Sequence, residues 1–159
     1  VVEMKVWRLA LDDRTDTPVV VLQEVNGKRV LPIWIGRAEA RAIAMELAGQ
    51  KFQRPLTHDL MKTVIEGLDG AVRKIDIIEL KENTFFAKLF IEKGDEIIGI
   101  DARPSDSIAL ALKTRSPVFV AEELLREQSA VEMSEDERAE ALRRYLDEMN
   151  PEDFGKFPL

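Results

Sequence analysis

The sequence predicts an α+β domain: a largely antiparallel sheet of about six or seven strands with helices packed on it and a helix at the C-terminus. Three observations lead there. β-Branched runs at 19–25 and 29–35 flank Asn26-Gly27, a short-range hairpin signal. Alternating stretches at 72–80 and 84–91 and a β-branched run at 96–100 are separated only by Glu82-Asn83 and Gly94-Asp95, which reads as an antiparallel meander. Between hairpin and meander, and again after it, apolar residues recur at helical spacing.

Taken in order, residues 3–11 alternate through Met4, Val6, Leu9 and Leu11, with Trp7 and Arg8 breaking the rhythm, so a strand with a bulge at that pair is expected. Residues 12–17 have turn composition. After the hairpin, Gly36 opens a helix over 37–48, with Ala40, Ile43, Ala44, Leu47 and Ala48 as its stripe and Gly49 as its stop. A proline-containing connection over 52–56 leads to Thr57. That residue is expected to cap a second helix with the stripe Leu60, Met61, Val64, Ile65 and Leu68. Pro104 suits the first turn of a third helix, followed by Ile108, Ala111 and Leu112. Residues 117–121 are too short for anything but a strand, and strand, helix, strand suggests a crossover returning the chain to the sheet. A helical turn follows around Leu124 and Leu125.

Ser134 and Glu137 have capping-box spacing and open a helix to about Met149, with Ala141, Leu142, Tyr145, Leu146 and Met149 on one face. The expected organisation is a domain over 1–130 and an acidic C-terminal helical extension of it over 131–159. The apolar face of that extension suits folding back on the body or packing against a partner and favours the second a little, and a homodimer is expected.

The composition narrows the function classes. A chain of 159 residues, 45% of them apolar, fits one domain with a sizeable core. There is no cysteine, which removes disulfides, thiolate chemistry and cysteine-rich zinc sites and suits a reducing cytoplasm. Glu3, Lys5 and Arg8 interrupt the first apolar segment, so no signal-peptide core is expected there, and no run approaches the ~20 apolar residues of a membrane span. A charged fraction of 33% with few Asn and Gln leans toward a thermophilic source. The net charge of −7 is unevenly placed: residues 1–121 are neutral, and the acidic excess lies in 122–159. Within 28–62 cations outnumber anions, a modest positive face rather than a polybasic tract.

Chemistry-bearing residues are densest over 99–112, GIDARPSDSIALAL, where a strand passes into a helix. Asp101 and Arg103 fall in the connection. Ser105, Asp106 and Ser107 fall in the opening turn, whose free N–H groups favour anions. A phosphate or a carboxylate-held metal fits this stretch; so does ordinary capping with Arg103 bridged to Asp101 or Asp106. His58, the only histidine, stands beside Asp59 in a first turn, placed either to exchange a proton or contact phosphate, or simply to pack. Glu39 and Glu46 lie about two turns apart, roughly 10 Å, too far to share a metal, and solvation or pairing with Arg37 and Arg41 is the simpler reading. No phosphate-binding glycine loop, H-E-x-x-H pair or G-x-S-x-G elbow is present.

The segments VLPIWIGRAEARAIA (30–44), PLTHDLM (55–61), IDARPSDSIALAL (100–112) and LDEMNPEDF (146–154), in this order and spacing, resemble the bifunctional nuclease domain family across nearly the whole chain. The resemblance implies cleavage of phosphodiester bonds in both DNA and RNA. On that basis Asp101 and Asp106 are expected to hold Mg²⁺ or Mn²⁺, with Glu46 as a further ligand. Arg103 would clamp a nonbridging oxygen, Ser105 would add a donor, and His58 beside Asp59 would serve as acid or base. The competing expectation is a noncatalytic dimeric module that binds an anionic ligand, nucleotide or protein partner at the same helix start.

Overall fold

The computed structural model describes residues 1–129. The chain runs β1 (Val2–Asp12), β2 (Thr17–Glu24), β3 (Val30–Trp34), α1 (Arg37–Leu47), α2 (Thr57–Gly67), β4 (Ala71–Lys81), β5 (Thr84–Lys93), β6 (Glu96–Ala102), α3 (Pro104–Thr114), β7 (Val118–Val120) and α4 (Glu122–Gln128). The strands make one seven-stranded sheet in the order β3-β2-β1-β7-β4-β5-β6. This is the expected α+β class. The helix expected after Ser134, with its dimerising face and the rest of the 131–159 extension, lies outside the described residues.

The sheet is two antiparallel ribbons joined by β7. That three-residue strand pairs antiparallel with β1 and parallel with β4. The crossover expected from strand, helix, strand is therefore present, and it drops β7 into the middle of the sheet. The register shift between Val6 and Arg8 on β1 is the expected bulge.

Hairpin chemistry is distributed differently from expectation. The tight two-residue turn with positive φ at both positions is Glu82-Asn83, where φ is 53° and 60°. The connection at Asn26-Gly27 is a longer loop, and neither residue has positive φ. It is closed by the Glu24 N–H donating to the Arg29 carbonyl at 3.0 Å, and the Glu24 carboxylate accepts from the Arg29 N–H at 2.9 Å.

Alternation puts Val20, Leu22, Leu31, Ile33, Ile75, Ile77 and Leu89 on one face, against Ala40 and Ile43 of α1 and Ile108 and Leu110 of α3. Val19 and Val21 of β2 are equally buried on the opposite face, with Ala10, Leu11, Val30 and Trp7. A strand buried on both faces reads as a continuous β-branched run, which residues 19–21 are. No helix of the described residues is long and apolar enough to cross a membrane.

The second helix departs from expectation in two ways. Leu56, not Thr57, is its N-cap, and the Asp59 carboxylate accepts the Leu56 N–H at 2.9 Å. Its stripe also divides: Met61 and Ile65 pack on the core, while Leu60, Val64 and Leu68 are exposed. The helix leans on α3 and β4 along one narrow seam.

Arg29 ties the hairpin to α4 through Glu24 at 2.8 Å and Glu122 at 2.8 Å. The hydrogen bond from Arg29 outweighs burial and holds the Glu24 carboxyl below its ordinary range. Removing the guanidinium leaves a covered carboxylate with backbone donors but no counter-ion, so Arg29→Met is expected to cost about 2 kcal/mol in urea unfolding at neutral pH. Because the Glu24 value is depressed, its contribution is present above the unfolded value and is lost as pH falls through the folded one. The gap between variant and parent should therefore narrow in acid.

Candidate functional site

Three helices meet where their polar ends converge. β6 hands the chain to α3 through Arg103, and Pro104 occupies the first helical position, where a missing N–H costs nothing. This sets Asp106 in the first turn of α3. His58 is in the first turn of α2 and only 9% exposed, and its Nε2 lies 3.0 Å from Asp106 Oδ1. The other carboxylate oxygen accepts from Arg103 Nε at 2.8 Å, and Arg103 Nη1 donates to Glu39 of α1 at 2.8 Å. Glu39, Arg103, Asp106 and His58 thus form one chain of contacts across three helices.

A second ionic cluster braces the same elements. Lys113, two turns along α3 from Asp106, donates to Glu46 of α1 at 2.8 Å and pairs with Asp59 of α2 at 2.6 Å. Both clusters border an open cleft of about 620 Å³, whose walls include Arg41, Met45, Phe52, His58, Arg103 and Asp106.

The electrostatics follow from these contacts. Burial pushes the Asp106 carboxyl up, but the hydrogen bonds from Arg103 and His58 prevail and hold it below its usual value. The hydrogen bond from Lys113 does the same for Asp59, helped by the Leu56 N–H. Burial pushes the Lys113 ammonium down, yet Asp59 and Glu46 raise it above its ordinary value. Asp106 is therefore ionised at neutral pH. An ionised Asp106 accepts from Nε2–H, and in the neutral form of a ring held this way the lone pair is on Nδ1. Nδ1 has no hydrogen-bond partner among the described residues and is not a sealed atom.

The structure brings together some of the residues expected from the sequence and separates others. Arg103, Asp106 and His58 share the cleft. Asp101 does not: β6 continues through it to Ala102, where it pairs with Lys88. Lys88 alternates with the buried Ala87 and Leu89, so Asp101 faces away from the helices. Ser105 is buried and lines a separate recess with Trp34 and Phe85. Asp59 caps α2 and pairs with Lys113, and Glu46 pairs with Lys113 as well. Glu39 and Glu46 do not pair with Arg37 and Arg41; Arg37 reaches Asp16 instead. Asp101, Asp106 and Glu46 therefore do not converge as metal ligands. Among the described residues no group of three His, Cys, Asp or Glu side chains could hold a metal ion. Both Asp106 oxygens are already engaged by His58 and Arg103, so the described side chains do not form a ready-made all-protein site for Mg²⁺ or Mn²⁺.

Arg41, Lys113 and Phe52 are site residues that the sequence reading missed. Lys113 carried a signal, since it falls seven residues after Asp106 and so on nearly the same helical face. Arg41 has no ion pair among the described residues, and its Nε is buried without a partner. No local pattern marks it or Phe52.

The bifunctional nuclease domain model matches residues 20–133, a span that includes Arg103, Asp106 and His58. An uncharacterized protein of Mycobacterium tuberculosis is 38% identical over a 163-residue alignment covering 96% of this chain and 97% of that protein. Bifunctional nuclease 1 of Oryza sativa subsp. japonica is 27% identical over 116 residues, 70% of this chain and 35% of its own length. Bifunctional nuclease 1 of Arabidopsis thaliana is 25% identical over 114 residues, 69% of this chain and 35% of its own. This chain therefore matches about a third of each plant protein.

Proposed function

We propose that this chain, which belongs to the bifunctional nuclease domain family, hydrolyses phosphodiester bonds in DNA and RNA at its three-helix cleft. The observation that carries the reading is the contact of His58 with Asp106 at the cleft wall, with Arg103 on the far side of the same carboxylate.

In this reading His58 Nδ1 takes a proton from a water molecule as its oxygen attacks phosphorus. Asp106 holds the ring and stabilises the imidazolium that forms. Arg103 keeps Nη2 clear of both carboxylates and offers it to a nonbridging oxygen, and the uncompensated Arg41 adds positive charge where the phosphorane develops. The bond to the leaving sugar oxygen breaks, and that oxygen takes its proton from solvent. Because water is the nucleophile, the 2′-hydroxyl plays no part and both DNA and RNA are substrates.

No step is assigned to a divalent ion, and chelation tests that directly. Labelled single- and double-stranded DNA and RNA are incubated with highly purified protein in Mg²⁺, Mn²⁺ or EDTA, beside Asp106→Asn prepared identically. Cleavage that survives EDTA and is lost in Asp106→Asn is the expected result. Cleavage lost in EDTA would return a metal to the mechanism, and cleavage unchanged in the variant would remove Asp106 from it.

One observation favours a noncatalytic anion-binding module instead: Glu39, Glu46, Asp59 and Asp106 are all matched by Arg103 or Lys113, as in a structural brace. That reading requires binding without turnover in the same assay. A reducing cytoplasmic setting and a homodimer accompany both readings, and gel filtration of the full chain tests the second of these.

A further inference from the structure

The cleft has a neighbour. Glu46, Phe52, Asp59 and Lys113 also line a second open recess of about 820 Å³, so the two adjoin at the 49–56 connection. The second recess adds Lys51, Lys62 and Arg115, none of which forms an ion pair among the described residues. Glu46 and Asp59 are neutralised there by Lys113, which leaves Glu66 as the carboxylate facing three unmatched cations. At the junction Phe52 is 37% exposed, a large aromatic ring left open to solvent.

We propose that the two recesses form one track for a single-stranded nucleic acid, with Phe52 stacking on an unpaired base and Lys51, Lys62 and Arg115 contacting the phosphates that flank the reacting one. The proposal rests on the cleavage reading for its placement of the reacting phosphate. Lys62 follows His58 by four residues on α2, one turn or about 6 Å along the same face, so a strand whose phosphate lies at His58 continues toward Lys62. A nearly buried histidine in a recess of this size is reached by a strand whose bases are splayed, not by a paired helix whose bases are stacked inside. An aromatic platform flanked by free cations is the sequence-tolerant way to hold such a strand.

The test is fluorescence anisotropy of the full chain with a labelled oligothymidylate and with a duplex of equal length. It is run in EDTA at several salt concentrations, with probe integrity checked on a denaturing gel. Single strands are expected to bind more tightly than the duplex. Phe52→Ala is expected to weaken single-strand binding about tenfold, and Phe52→Trp to restore it. The triple variant Lys51→Gln, Lys62→Gln, Arg115→Gln is expected to flatten the slope of log affinity against log salt by about two. Thermal melts establish that each variant is folded.

Equal affinity of Phe52→Ala and parent, equal affinity for duplex and single strand, an unchanged salt slope, or no binding at all would each overturn the track. Failure of the cleavage reading looks different. Strand binding that depends on Phe52, with no turnover by the parent, removes the nuclease and keeps the track; turnover with binding indifferent to Phe52 does the reverse.

Discussion

Replacing His58 by Gln, or Asp106 by Asn, is expected to lower the cleavage rate by roughly 10²- to 10⁴-fold, the range for loss of a positioned acid or base. In His58→Gln the amide cannot accept the proton from water. In Asp106→Asn the side chain still fills the space between Arg103 and the ring, but it neither fixes the proton on Nε2 nor balances an imidazolium. The two residues act as a unit, so the double variant should be little slower than the slower single one. Turnover measured at saturating substrate checks this, with anisotropy showing that substrate still binds. Full additivity of the two losses would mean that the 3.0 Å contact is not a catalytic coupling.

Lys113→Met is the variant with the largest expected effect on stability. The side chain is 15% exposed and bridges Glu46 and Asp59, so its removal leaves two partly covered carboxylates facing each other between α1 and α2. About 2 kcal/mol is expected, less than for a sealed pair because both carboxylates retain some water. For a domain of this size that corresponds to a fall of roughly 4–8 °C in Tm.

The pH dependence gives the sharper signature. In the parent, the depressed Asp59 value contributes stability above its unfolded value, and that stability is lost as pH falls through the folded one. The raised Lys113 value contributes below its own unfolded value and is lost as pH rises through the folded one. The bridge therefore operates between about pH 4 and 10. In Lys113→Met the Asp59 carboxylate faces Glu46 without its cation, so protonating Asp59 relieves that repulsion, and Tm should rise on mild acidification before general acid unfolding begins. Melts between neutral and mildly acidic pH distinguish this from simple loss of packing, which shows no such rise.

Local patterns are good guides wherever one residue type has a local physical reason. Pro104 starts α3 because its ring suits a first turn, and the Trp7–Arg8 interruption is a bulge because two residues there oppose one. Where an element's neighbours decide, the same patterns mislead. Leu60, Val64 and Leu68 have helical spacing but lie on the solvent side, because α2 leans on its neighbours along only one seam. Asp101 and Asp106 are five residues apart, yet the first is still in a strand and on its far face, which no count along the chain reveals.

The α+β class, most of the strands and helices, the family, and three of the side chains that meet in the cleft are legible in the chain as written, because periodicity and helix-start chemistry act within a few residues. Folding was needed to settle that β7 enters between β1 and β4, that Arg103 pairs with Glu39, and that Lys113 joins Glu46 to Asp59. It also settled that Phe52 stands where the two recesses meet. Those contacts join residues far apart in the chain, such as Val2 with Val120 and Glu46 with Lys113. Their partners are selected by how helices pack on a sheet, a choice made by the buried surface of the whole domain rather than by any short stretch of it.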